Sequence, residues 1–110
     1  MTTITTDKAT SQAAGVAQFA SGNFTADSNA QSLSIGFKPR FFKLYDNTGV
    51  TTWEKVEGDL AANAWKTVGS GPTFTLDTNS YILFNSDNST VSLSASILTS
   101  THVYSWVAFG

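Results

Sequence analysis

Between Thr90 and Ile97 the chain reads TVSLSASI, and the reading of this stretch decides the fold. Val91, Leu93, Ala95 and Ile97 alternate with Ser92, Ser94 and Ser96. A two-residue period puts every apolar side chain on one side of an extended backbone, as in a strand with one buried and one wet face. Leu33, Ile35 and Phe37 repeat the pattern against Ser32, Ser34 and Gly36. Outward from these two segments, runs rich in β-branched and aromatic residues predict strands over 16–25, 40–46, 51–57, 64–68, 73–76, 81–84 and 102–109.

Turn chemistry separates the runs. Asp46-Asn47-Thr48-Gly49, Gly69-Ser70-Gly71-Pro72, Asp77-Thr78-Asn79-Ser80 and Asn85-Ser86-Asp87-Asn88 all supply residues that tolerate positive φ or bond their own backbone. The chain therefore reverses about every ten residues, a spacing that favours a sandwich or closed barrel. The expected fold class is all-β: an antiparallel β-sandwich or jelly-roll-like domain over 15–110, with an extended N-terminal arm over 1–14. One segment, GDLAANAWK at Gly58–Lys66, has a capping-type Asp59 but is too short for an isolated helix, and it reads as a loop with a helical turn. The arm is small, polar and without sustained alternation, yet Ile4 and its β-branched threonines suit it to adding onto a neighbouring sheet edge.

Composition narrows the function. Of 110 residues 41% are hydrophobic, enough for one core, and only 13% are charged, with Ser, Thr and Asn in their place. A net charge of -2 leaves no positive field to hold a polyanion, so nucleic acid is not an expected partner. With no cysteine there is neither a disulfide framework nor a thiolate metal site. The first fifteen residues, MTTITTDKATSQAAG, lack a basic and then an apolar region, and no apolar run approaches the ~20 residues of a membrane span. No membrane is expected, and synthesis in the cytoplasm is.

Sites for chemistry are sparse. His102 stands among hydroxyl residues, with Tyr104 and Trp106 on its side of a strand, and no metal-ligand spacing surrounds it. Glu54 and Glu57 are three apart and face opposite sides of a strand, with Asp59 beyond a glycine. Gly69-Ser70-Gly71 leads into Pro72 and lacks the form of a nucleophile elbow. Asn85 to Ser89 offers alternating oxygens but not the glycine and final glutamate of a calcium loop, so a hairpin turn is the reading. No catalytic residue, metal or cofactor is expected.

The stretch SIGFKPRFFKLYDNTG, Ser34 to Gly49, gathers cations and aromatic rings. As a strand, 40–46 puts Phe42 and Leu44 on the side of Arg40, and Phe41, Lys43 and Tyr45 on the other. Neither side is purely wet, so both are expected to be covered, with the cations at the rim and their stems over rings. Pro39 removes an amide donor and belongs at an edge or bend.

IGFKPRFFKLYDNTG (Ile35–Gly49), TWEKVEGDLAANAWKTV (Thr52–Val68) and the terminal YSWVAFG (Tyr104–Gly110) together resemble small structural proteins of tailed bacteriophages, especially capsid decoration or cement proteins. The likeness covers most of the chain after about residue 31. It implies a sandwich or jelly-roll module that sits on the virion exterior, assembled in the host cytoplasm, bridging subunits of the major capsid protein as a homo-oligomer, dimer or trimer. For this chain it implies capsid contact through the arm, at Thr2, Thr3, Ile4, Thr5 and Thr6, and through an edge containing Lys38, Arg40 and Lys43. Gly36-Phe37-Lys38-Pro39 and Trp106-Val107-Ala108-Phe109 also resemble tail-fibre and host-recognition modules. A carbohydrate-binding adhesion module is therefore the alternative, with Trp53, Trp65 or Trp106 stacking on sugars.

Overall fold

A computed structural model describes residues 18–69 and 73–110. Its strands are β1 (Phe19–Thr25), β2 (Gln31–Ser34), β3 (Phe41–Asp46), β4 (Thr51–Val56), β5 (Ala64–Val68), β6 (Thr73–Asp77), β7 (Ile82–Phe84), β8 (Thr90–Leu93) and β9 (Val103–Phe109). All pairings are antiparallel. A six-stranded sheet runs β1-β9-β3-β4-β5-β6, and a three-stranded sheet runs β2-β8-β7. The fold is all-β and sandwich-like. The arm over 1–14, the start of the 16–25 run and the turn at Ser70-Gly71-Pro72 lie outside the described residues.

Alternation sets the layers. In β3, Phe42, Leu44 and Asp46 are buried while Phe41, Lys43 and Tyr45 are half-buried, and in β9 Tyr104, Trp106 and Ala108 are the buried set. Phe42, Leu44, Tyr104, Trp106, Ala108 and Trp53 meet Ile82, Val91 and Leu93 in one hydrophobic cluster. Ring pairs tie it together: Phe24 stacks on Tyr104 at 5.4 Å, Phe42 on Trp106 at 6.1 Å, and Trp53 meets Tyr81 edge-on at 5.8 Å. Gly22 pairs with Trp106 across β1 and β9, and a β-carbon on it would lie 2.8 Å from the indole nitrogen. The missing side chain is what lets the indole lie against β1.

TVSLSASI is a strand only in its first half. β8 ends at Leu93, and the Ser94 hydroxyl accepts the Ser96 amide to start a 3-10 turn over Ala95–Ile97. The cause is visible in the next residues: Ile97 and Leu98 are consecutive and both buried, which an extended strand cannot arrange. The Tyr104 hydroxyl secures the turn, donating to the Ile97 carbonyl and accepting the Thr99 amide. The ladder of β2 likewise stops at Ser34, because the amides of Ile35 and Gly36 both bond to the Ser89 carbonyl and Gly36 turns at φ 92°. Ile35 stays buried and Phe37 half-buried, so the alternation outlives the ladder.

Gly58–Lys66 forms no helix. Turns and irregular backbone occupy the segment as far as Asn63, and β5 takes the rest from Ala64. The expectation that both sides of β3 are covered is corrected. The three-stranded sheet packs on one side, whereas among the described residues no second layer covers the other. Phe41, Lys43 and Tyr45 are half-shielded by neighbours within their own sheet instead.

Candidate interaction surface

The cations of the FKPRFFK stretch separate into two groups. Pro39 is fully buried, and on either side of it Lys38 and Arg40 reach the same carboxylate, Glu57, at 3.1 and 3.0 Å. The backbone brings them together: the Arg40 amide donates to the Phe109 carbonyl and the Glu57 amide to the Arg40 carbonyl, joining the starts of β3 and the end of β4. Lys43 lies elsewhere. It sits mid-strand on the uncovered side of the large sheet, paired with Glu54 at 3.2 Å and 5.1 Å from the centre of the Tyr45 ring. Burial pulls the Lys43 ammonium down, but Glu54 and Tyr45 more than offset this and hold it above its ordinary value.

Lys38 also borders a cleft of about 290 Å³ with Lys55, Glu57, Asp59, Phe84 and Asn85. Sequence reasoning passed over Lys55. Only 3% exposed, it directs its ammonium at the carbonyls of Leu60, Ala61 and Asn63, at 3.2, 3.0 and 2.6 Å. Burial lowers its pKa, with Asp59 opposing. The lysine thus organises the loop between β4 and β5, and no periodicity announces such a role.

The three carboxylates considered for hydrolysis are engaged separately. Glu54 holds Lys43, Glu57 holds Lys38 and Arg40, and Asp59 accepts the Val56 amide at 3.0 Å. His102 does face the same way as Tyr104, and it has a partner that spacing did not reveal. Its Nδ1 lies 3.0 Å from Asp46 across the sheet. Burial pushes the Asp46 carboxyl up, but the Gly49 amide, His102 and the Thr48 amide outweigh it, leaving the group below the usual aspartate value. The oxygens of the 85–89 run close their own hairpin: Asp87 accepts the amides of Ser89 and Thr90, and Asn85 donates to Thr90 and Ser92. Among the described residues no three metal-binding side chains gather.

Of the tryptophans, Trp53 and Trp106 are core residues, 4% and 8% exposed. Trp65 is half-buried on the uncovered side, stacked on Phe74 at 4.7 Å with planes 3° apart. Phe74 itself is 65% exposed. At the opposite end of that side a second aromatic cluster, missed in the sequence because its members are far apart in the chain, links Phe19 to Phe109 at 5.1 Å and Phe109 to Phe41 at 6.0 Å. Val56 continues the row beside Phe41, and Val107 lies beside Lys43. The uncovered side is therefore apolar at two ends with one compensated ion pair between. No family model matches the chain, and no curated protein or solved structure does either.

Proposed function

We propose that this chain is a capsid decoration protein of a tailed bacteriophage, a module that binds the outer surface of the major capsid shell and stabilises it. The observation that carries the reading is the uncovered side of the six-stranded sheet, with Phe19, Val56, Phe74, Leu76 and Phe109 all exposed and Lys43 and Glu54 neutralising each other. Apolar patches at two ends of a side whose charge is balanced suit contact between proteins. The rim carries Lys38 and Arg40, both more than half exposed, whose guanidinium and ammonium can exchange Glu57 for carboxylates of a capsid subunit. In this reading the arm residues Thr2, Thr3, Ile4, Thr5 and Thr6 add contacts to the capsid.

The test is co-sedimentation of the purified protein with empty shells of the phage that encodes it. Binding that saturates at a fixed ratio to the capsid subunit, and a higher temperature of shell disruption, are the expected results. Deletion of residues 2–14, or Lys38→Glu with Arg40→Glu, is expected to weaken binding at least tenfold. Absence of wild-type binding overturns the reading.

A second reading has one specific observation behind it. The parallel Trp65–Phe74 pair, beside the hydroxyl of Thr67, is the kind of flat ledge on which a sugar ring stacks. A glycan array that reports binding lost in Trp65→Ala would favour host adhesion over decoration.

A further inference from the structure

We propose that the uncovered side of the six-stranded sheet is the interface of a homodimer, closed by a two-fold axis that runs along the strands between β3 and β4. The inference concerns the free protein; it uses the same side as the capsid reading, so the dimer parts when the protein docks on a shell through that side.

Register supplies the argument. Across β3 and β4, Phe41 pairs with Val56, Lys43 with Glu54 and Tyr45 with Thr52. One strand further out, Val107 of β9 lies beside Lys43, and Trp65 of β5 beside Glu54. A two-fold axis parallel to the strands keeps each residue at its height and exchanges β3 with β4 of the second copy. Every residue then faces its own register partner: Phe41 faces Val56, Lys43 faces Glu54, Tyr45 faces Thr52 and Val107 faces Trp65. The two Lys43 and two Glu54 side chains form a ring of alternating charge at the centre, with the apolar pairs Phe41–Val56 and Val107–Trp65 beside it.

Charge decides between axes. Turning the second copy about an axis across the strands instead would set Lys43 on Lys43 and Glu54 on Glu54, which costs several kcal/mol. Packing with strands nearly aligned is also the common geometry for two sheets meeting face to face. Size fits a modest dimer. Six strands at ~4.8 Å spacing and ~3.3 Å rise per residue give a side roughly 25 Å by 20 Å, so about 1,000 Å² is covered in all. That lies at the lower end of specific interfaces, and the expected Kd is on the order of micromolar.

Sedimentation equilibrium of the full chain from about 1 to 100 µM tests the proposal. Wild-type protein is expected to shift from monomer to dimer over this range. Lys43→Glu and Glu54→Lys each place four like charges at the centre and are expected to remain monomeric at about 100 µM. Each variant also loses the ion pair within its own chain, so the deciding sample is their equimolar mixture, in which a heterodimer sets the two carboxylates of one copy against the two ammonium groups of the other. Native mass spectrometry with one variant isotopically labelled is expected to show that heterodimer. Val107→Lys, at an apolar position facing Trp65, supplies an independent variant if either charge reversal fails to fold, with at least tenfold weaker association expected. A wild-type chain that stays monomeric at about 100 µM, a single variant or Val107→Lys that still dimerises like the wild type, or a mixture that does not associate overturns the proposal.

Discussion

Lys55 shows how much a single side chain can decide. Its lowered pKa means that the charge is held at a cost, and what the lysine contributes is a shared donor for three loop carbonyls, of which that of Leu60 also accepts the Asn63 amide. Lys55→Met keeps the stem and removes the donors. It is expected to cost about 1–3 kcal/mol, read from the urea midpoint, the sum of orphaned carbonyls less the relief of a buried charge. Asp46 makes a different statement. Its folded pKa lies below the ordinary ~3.9 of an unfolded aspartate. Its stabilisation is therefore complete above that value and is lost as pH falls through the folded one. Thermal melts across about pH 2–7 are expected to show the loss below about pH 4. Asp46→Asn is expected to be less stable than wild type at neutral pH, with a flatter acid limb. An acid limb that is unchanged in the variant would show that other carboxylates govern it.

At the scale of the strand, what was legible was the side each residue faces. That Phe42 and Leu44 share one side and Lys43 and Tyr45 the other, and the common side of His102, Tyr104 and Trp106, follow from a period of two; which side of β3 is covered does not. Where strands stop was less legible, because a stop is imposed by neighbours. Ser94 caps a turn since Ile97 and Leu98 must both reach the core, and β2 ends because the Ser89 carbonyl claims two amides. Gly22 belongs to this scale too, for it looks like a weak point in a strand until Trp106 is placed opposite. Gly22→Ala puts a β-carbon 2.8–2.9 Å from the indole. The expected cost is about 1–3 kcal/mol, measured as a lower urea midpoint. A shifted tryptophan emission maximum would report the displaced ring directly.

For the whole molecule, the two sheets share one hydrophobic cluster, with Phe42, Leu44 and Trp106 from the larger meeting Ile82, Val91 and Leu93 from the smaller. Neither sheet can lose its partner without exposing that core, so unfolding is expected to be a single transition. Tryptophan fluorescence, which reports Trp53, Trp65 and Trp106, and far-UV circular dichroism should then give coincident urea curves. Separated midpoints would mean that the sheets unfold independently. The candidate surfaces divide along the same line. FKPRFFK announced a cluster of cations, but only folding revealed that Lys38 and Arg40 share Glu57 while Lys43 turns to Glu54. By itself the sequence determined the strand periodicity, the turn chemistry, the low charge and the all-β class, because these depend on neighbours two to four residues away. Tertiary structure alone decided that Asp46 meets His102 across 56 residues, that Lys55 holds a loop, and that Phe19, Phe41 and Phe109 form one row. Those contacts depend on which strands lie side by side, and strand order is set by the packing of the whole core.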